Sequence, residues 1–329
     1  MKTSYKVLFV SSSGKTFKLL PFIKSQFESL QPYLKTIDHY RIKGSGIKAY
    51  YVAFKELKVV LKEGNYDIIH AHWAYAGILC SFIVNKEKLV ISYMGSDLQG
   101  IYFTKYNILT LRGFFNILVS QYLLLKADSA IVKSKRMLKW IPWYVRKKTT
   151  VIPNGVNLAV FSPMPQASAR NHLNLDLSRK YIVFLGDTNN TNKNFPLLQK
   201  ALKILDQKKI TCDLITPYPT PSSDVPYYLA AADVLAFTSK LEGSPNLIKE
   251  ALAMGCPIVS TDVGDVRERV ESVDGCFIAG FDEHNFADML IKALEFNKRT
   301  SSKRLVDICQ ENIAVKIIAL YHSLLKKIR

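Results

Sequence analysis

Short apolar runs rich in β-branched and aromatic residues alternate with stretches whose apolar positions recur every three or four residues, almost from end to end. The runs have the length of buried strands, and the spaced stretches have the period of a helix face. In the first half, strands are predicted at Tyr5–Ser11, Ile37–Tyr40, Asp67–His72, Leu89–Tyr93 and Ser129–Val132. Helices are predicted around Leu20–Leu30, Tyr51–Glu63, Gly77–Val84 and Leu109–Lys126, with Val52, Leu57, Val60 and Leu61 marking one face of the second. The second half repeats the grammar. Its strands are predicted at Tyr181–Gly186, Asp213–Thr216, Asp233–Thr238 and Pro257–Thr261, and its helices around Asn194–Leu205, Pro226–Ala231, Asn246–Met254 and Asp282–Asn297. This β-α-β alternation builds parallel sheets covered on both faces, so the fold class is α/β with two Rossmann-like halves.

Punctuation divides the halves. Val151-Ile152-Pro153-Asn154-Gly155 carries Pro and Asn-Gly, strong breakers, and a Pro-spaced segment runs on through Pro163 and Pro165. The expected domains are 1–155, 156–308 and a last helix, 309–329. Its apolar positions 313, 317, 320, 324 and 328 share a face, which is expected to pack back on the first domain. A chain of 329 residues is also longer than one typical core supports.

Charge separates the halves as well. The net charge is +18, and residues 1–150 carry 24 Lys+Arg against 8 Asp+Glu, leaving +2 for the rest. The first half is therefore expected to meet something anionic: nucleic acid, a membrane surface or a phosphorylated substrate. Residues 133–148 concentrate seven bases among Trp140, Trp143 and Tyr144, a composition suited to an anionic lipid interface. It also suits nucleic acid, or a solvated face with its aromatics turned inward. The five scattered Cys include no C-x-x-C pair, so neither a zinc knuckle nor a disulfide framework is indicated. The opening residues have an apolar run of four, and the longest apolar stretch, Phe114–Leu125, is about 12 residues, too short to span a bilayer. A reduced, cytoplasmic protein is expected.

The richest chemistry lies at Phe237-Thr-Ser-Lys-Leu-Glu242-Gly-Ser-Pro-Asn246-Leu-Ile-Lys-Glu250. A strand ends, a polar loop carries Glu242, and a helix begins near Asn246. Gly243 lets backbone approach a ligand. The helix start offers unpaired amides and the positive end of a dipole, an anion site. Glu250, one turn in, can accept hydrogen bonds from vicinal hydroxyls such as a ribose's, and Glu242 can hold those of a second polar group. Two acidic residues near a helix start are also favourable with no ligand at all.

These residues resemble the E-x7-E motif of the retaining GT-B enzymes of glycosyltransferase family four. The flanking A-A-D-V-L-A-F-T-S and E-A-L-A-M-G-C-P-I-V-S-T-D, the segment V-I-P-N-G-V-N at 151–157, and the N-terminal D-I-I-H-A-H, Y-M-G-S-D-L and K-A-D-S-A-I-V-K-S are similar to the same family. The resemblance implies two domains facing a cleft and closing about residues 153–156. It implies a nucleotide-sugar donor, UDP- or GDP-linked, in the second half. Glu250 would bind the ribose, Glu242 the transferred sugar, and the backbone of Gly243, Ser244, Pro245, Asn246 and Leu247 would face the sugar and diphosphate. The family's diphosphate-clamping Lys corresponds to Lys193, after Gly186. Where the family has Arg, this chain has Asn190, and a neutral amide lacks a guanidinium's bidentate charged grip. Arg267 or Arg269 is the candidate substitute.

In the first half, Ser11-Ser12-Ser13-Gly14-Lys15-Thr16 follows the first strand but lacks the earlier Gly of a P-loop, so NTPase activity is not expected. By resemblance, Gly14 and Lys15 border the donor phosphate and the acceptor. His70 and His72 close a strand and are expected to point to opposite faces, which argues against a shared metal. His72 is kept as a catalytic candidate beside the acceptor pocket. Asp97 either orients the acceptor hydroxyl or caps the helix after it.

Three functions follow. The first is a metal-independent retaining glycosyltransferase without cofactor, since no D-x-D occurs in the chain. Its acceptor is expected to be a lipid-linked glycan of surface polysaccharide synthesis, used by a protein peripheral on the inner face of the plasma membrane. The second is a nucleotide-sugar epimerase on the same fold. The third is a non-enzymatic module binding membrane or nucleic acid.

Overall fold

The computed structural model describes residues 3–12, 20–100, 102–103, 108–300 and 303–326. It divides into two units, residues 1–155 with 310–329, and residues 156–309.

The first unit is built on six parallel strands in the order Leu34–Ile42, Thr3–Ser12, Ile68–His72, Lys88–Ser92, Ser129–Val132, Thr149–Val151. Strand composition follows position. Thr3–Ser12 lies between two neighbours and its Val7–Val10 run is buried, whereas Leu34–Ile42 closes the sheet edge and mixes polar with apolar residues, only its two ends being buried. The helix Ile47–Gly64 buries Ala53, Leu57 and Leu61, a spacing of four. Val52, expected on that face, is instead 46% exposed, because Ala53 completes the stripe one position later.

The strand Ile68–His72 corrects a second expectation. His70 and His72 point to the same face, their rings stacked with centroids 4.5 Å apart. Side chains two residues apart in a strand share a face, so the expected opposition misapplied the pleat. The final helix, Gln310–Lys326, belongs to the first unit. Its Ile313, Ala314, Ile317, Tyr321 and Leu324 pack with Val7, Phe9 and Ile68 from the sheet. Tyr321 places its hydroxyl 2.6 Å from His70 Nδ1, tying the helix to the middle of the strand Ile68–His72.

The second unit has five parallel strands in the order Asp213–Ile215, Tyr181–Val183, Val234–Phe237, Ile258–Thr261, Cys276–Ala279. Its first strand lies between the second and third, so the connections leaving the first and third strands diverge. Ligands of open parallel sheets bind at such a point, beyond the strands' carboxyl ends. The strands Thr149–Val151 and Cys276–Ala279 carry no sequence prediction; each is an edge of three or four residues defined by pairing to one neighbour. The Pro-spaced segment contains the helix Gln166–His172, held by Arg170 bound to Asp233 at 2.9 Å with both side chains buried. Its sequence is too polar to show a periodic face.

Candidate functional site

The loops after Tyr181–Val183 and Val234–Phe237 are stitched together by hydrogen bonds. Thr238 Oγ1 donates to the Lys193 carbonyl at 2.6 Å, Asn192 Nδ2 to the Leu241 carbonyl at 2.9 Å, and the Lys240 amide to the Asn192 carbonyl at 2.8 Å. This fixes Lys193 against Glu242: Lys193 Nζ donates to Glu242 Oε1 at 2.7 Å, both side chains partly exposed. The ammonium also lies 5.5 Å from the centre of the Phe237 ring.

Beside this pair opens a pocket of about 360 Å³ lying wholly in the second unit. Gly186, Lys193, Glu242, Pro245, Asn246, Leu247 and Glu250 line it, joined by Leu185, Tyr218, Thr220, Val225 and Phe237. Asn246 and Leu247 open the helix Asn246–Ala253, so the positive end of that helix faces the space. Glu250 keeps part of its area open to the pocket, yet burial pushes its carboxyl up to about 7, with Lys249 opposing. A cation, two carboxylates and a helix start thus converge on one cavity, with an exposed aromatic, Tyr218, at 56%. The arrangement can hold an anion and several hydroxyls together.

Other expected site residues lie elsewhere. Gly243 is buried and does not line the pocket; a Cβ on Gly264, which has φ +56°, would come within 2.6 Å of the Gly243 carbonyl oxygen. Gly264 is therefore required where the two loops touch. Ser244 is buried beneath the helix start, donating to Asp265 Oδ2 at 2.9 Å. Asn190 is exposed, makes a turn with Asn192 and does not line the pocket, so it is no structural stand-in for an Arg. Arg267 pairs with Asp262 and Glu271, and Arg269 with Asp265; neither reaches the pocket.

Lys249 was not foreseen. It is 1% exposed and donates to Ser244 Oγ at 3.3 Å, and burial lowers its ammonium to about 8. With Asp265 and Arg269 it forms a polar support, mostly buried, under the turn that opens the helix Asn246–Ala253. A lysine one residue before Glu250, in an otherwise apolar helix face, was the available signal.

In the first unit, His72 is fully buried, its Nε2 2.9 Å from Gln26 Oε1, and burial holds its pKa well below the usual histidine range. His70 contacts Tyr321 and Ser92 and is lowered to about 3 by burial. Both rings pack against Phe9 in the interior of the first unit. Asp97 is buried and accepts from the amides of Met94, Gly95 and Leu98. Asp97 lies within the first turn of the helix Ser96–Gln99, whose cap position is Gly95, and its carboxylate ties the turn that enters the helix. Gly14 and Lys15 lie outside the described residues. Among the described residues, no group of three or more metal-ligating side chains occurs, and no helix is long and apolar enough to cross a membrane.

Comparison with known proteins matches residues 29–160 to the model described as Glycosyltransferase Family 4, and residues 214–295 to Glycosyl transferases group 1. TuaC of Bacillus subtilis strain 168, named as a putative teichuronic acid biosynthesis glycosyltransferase, is 23% identical over 285 residues, covering 81% of this chain and 69% of TuaC. Sucrose-phosphate synthase from Thermosynechococcus elongatus superposes with a TM-score of 0.80 at 16% identity, covering 98% of this chain and 100% of that one. HepE of Anabaena, solved in complex with UDP and glucose, superposes with a TM-score of 0.66 at 15% identity over 98% and 99% of the chains.

Proposed function

The chain belongs to glycosyltransferase family four and has the GT-B fold, and from that premise we propose that the pocket of the second unit holds a nucleotide-diphosphate sugar. The observation that carries this reading is the convergence of Lys193, Glu242, Glu250 and the helix start at Asn246 on one cavity. The ribose hydroxyls donate to Glu250, the sugar hydroxyls meet Glu242, and the diphosphate lies against Lys193 and the first turn of the helix. Glu242 pairs with Lys193 at 2.7 Å. A bound diphosphate competes for the ammonium and frees Glu242 to accept from the sugar. The HepE complex with UDP and glucose supports a uridine donor by analogy.

Transfer proceeds with retention and without a metal. As the sugar departs, negative charge grows on the diphosphate, where Lys193 and the helix dipole already point; such preorganised charge is usually the largest single contribution to rate. The missing Arg leaves this chain with one clamping cation where the family has two. Ser244, Lys249 and Asp265 hold the turn that carries Asn246, a positioning role.

The acceptor is a lipid-linked glycan of surface polysaccharide synthesis, handled by the basic first unit at the inner face of the plasma membrane. The name of TuaC supports the polysaccharide, and the outward-facing Trp143 and Tyr144, 79% and 56% exposed, support the lipid surface. Family membership disposes of the non-enzymatic reading. Titration with UDP-, GDP- and ADP-sugars, with nucleotide release scored against lipid-linked acceptors, tests the proposal. Saturable binding of one donor and acceptor-dependent release are expected. Conversion of donor without acceptor would replace transfer by epimerisation.

A further inference from the structure

The helix Leu111–Lys126 is inside out. Its buried face carries Gly113, Asn116 and Ser120 along with Leu123 and Leu124. The polar members are satisfied there: Tyr75 donates to Asn116 Oδ1 at 2.6 Å, and Ser120 Oγ donates to the Asp97 carbonyl at 2.7 Å. Its outer face carries Leu111, Phe114, Phe115, Leu118 and Leu125, each between 48% and 73% exposed. At 100° per residue these five fall in a stripe about 100° wide, the width of a face that ordinarily meets a core. An apolar patch of this kind on a protein surface marks an interaction site.

Charge says what covers it. Residues 108–148 contain nine Lys or Arg and a single acid, Asp128, which pairs with Lys88 at 2.9 Å. Arg112 and Lys126 stand exposed at the two ends of the stripe, and Lys139, Arg146 and Lys147 are exposed on the following segment. That segment is joined to the helix where Gln121 Nε2 donates to the Trp140 carbonyl at 3.1 Å. It also presents Trp143 against Tyr144, ring centroids 5.7 Å apart. An apolar stripe rimmed by cations, with aromatic rings alongside, has the chemistry of a helix lying in the plane of a membrane interface. At 16 residues the helix is too short to cross.

We propose that the outer face of Leu111–Lys126, with Trp143 and Tyr144, is the surface by which the protein lies on an anionic phospholipid bilayer. The stripe enters the headgroup–acyl boundary and the flanking bases meet lipid phosphates. This deepens the proposed use of a lipid-linked acceptor and rests on that reading for its purpose, but the binding itself needs no sugar donor.

The test is co-sedimentation of the full chain with vesicles of phosphatidylcholine alone and of equimolar phosphatidylcholine and phosphatidylglycerol. Binding is expected to the anionic vesicles, with a part that survives raised salt because it comes from apolar burial. The double variant Phe115→Ser, Leu118→Ser, both at exposed positions, should lose about tenfold or more in vesicle affinity while keeping its circular dichroism and donor affinity. In the variant Phe115→Trp the new indole should be quenched by brominated lipid. A wild-type chain that stays in the supernatant, a double variant that binds as wild type, or an indole in Phe115→Trp that brominated lipid leaves unquenched overturns the proposal. So does a lipid-free dimer that the double variant dissociates, which would make a second copy the occupant. A chain that binds vesicles but no nucleotide sugar would remove the donor reading and leave this one standing.

Discussion

Two helices that cover parallel sheets invite comparison. Phe195–Gln207, in the second unit, buries Leu197, Leu198, Ala201 and Leu205 and turns Gln199, Lys200 and Lys203 to solvent. Leu111–Lys126, in the first, turns Asn116 and Ser120 inward beside Leu123 and Leu124, and sends Leu111, Phe114, Phe115, Leu118 and Leu125 outward. The difference extends to the units that hold them. The second is nearly charge-balanced and carries the pocket proposed for the donor, while the first holds almost all the excess positive charge and most of the exposed large apolar side chains. Apolar residues in a helix thus say only that something non-aqueous covers that face. Whether it is a sheet or another phase is decided by the rest of the fold.

Four experiments press on this division of labour. Lys193→Ala removes the pocket cation that the proposal sets against the diphosphate and should lower kcat by roughly 100- to 1000-fold, with vesicle binding unchanged. A fall in vesicle binding would mean the two units are not independent. Glu250→Ala should weaken donor binding by roughly 1–3 kcal/mol, read by titration calorimetry, because a buried hydrogen-bonding carboxylate is lost.

The pH dependence of Glu250 sharpens the second case. Its folded pKa, about 7, lies above the ordinary 4.5, so between those values the folded protein binds more protons than the unfolded chain. Stability is therefore fully present below about 4.5 and falls as pH rises through 7, by at most ~3 kcal/mol and less for the part screened through the open pocket. Donor affinity should rise over the same range, since the ionised carboxylate is the better acceptor. Glu250→Gln should flatten that decline in denaturant melts at pH 5 to 8 and abolish the rise in affinity. A variant as pH-dependent as the parent would assign the titration elsewhere.

The smallest effect is expected from Tyr321→Phe. It deletes the partner of His70 Nδ1 inside the first unit and should cost about 1 kcal/mol of thermal stability. The affinity of the second unit for a nucleotide sugar should not move.

Much of the site was readable because its residues are close in the chain. Glu242, Pro245, Asn246, Leu247 and Glu250 fall within one loop and one helix, and their types name their chemistry. Gly186 and Lys193 could be joined to them only through the family resemblance. Tyr218, Thr220 and Val225 were out of reach, since no local pattern distinguishes a pocket wall from any loop after a strand. Lys249 was visible as a charge on an apolar helix but not as a buried support, because its contact, Ser244, is in turn held by the distant Asp265.

Hydrophobic periodicity alone determined the alternation of strands and helices and the parallel α/β class, because backbone hydrogen bonding restricts each pattern to one regular structure. Residue types alone determined that one half is basic. What covers each face was decided only in three dimensions. The stacking of His70 on His72 followed from the pleat, whereas their burial required the returning helix at Tyr321. The outward turn of Phe115 and Leu118 was settled when Asn116 and Ser120 found hydrogen-bond partners inside the unit. A helix has two faces and one sequence, and which face goes in depends on groups far along the chain that satisfy it.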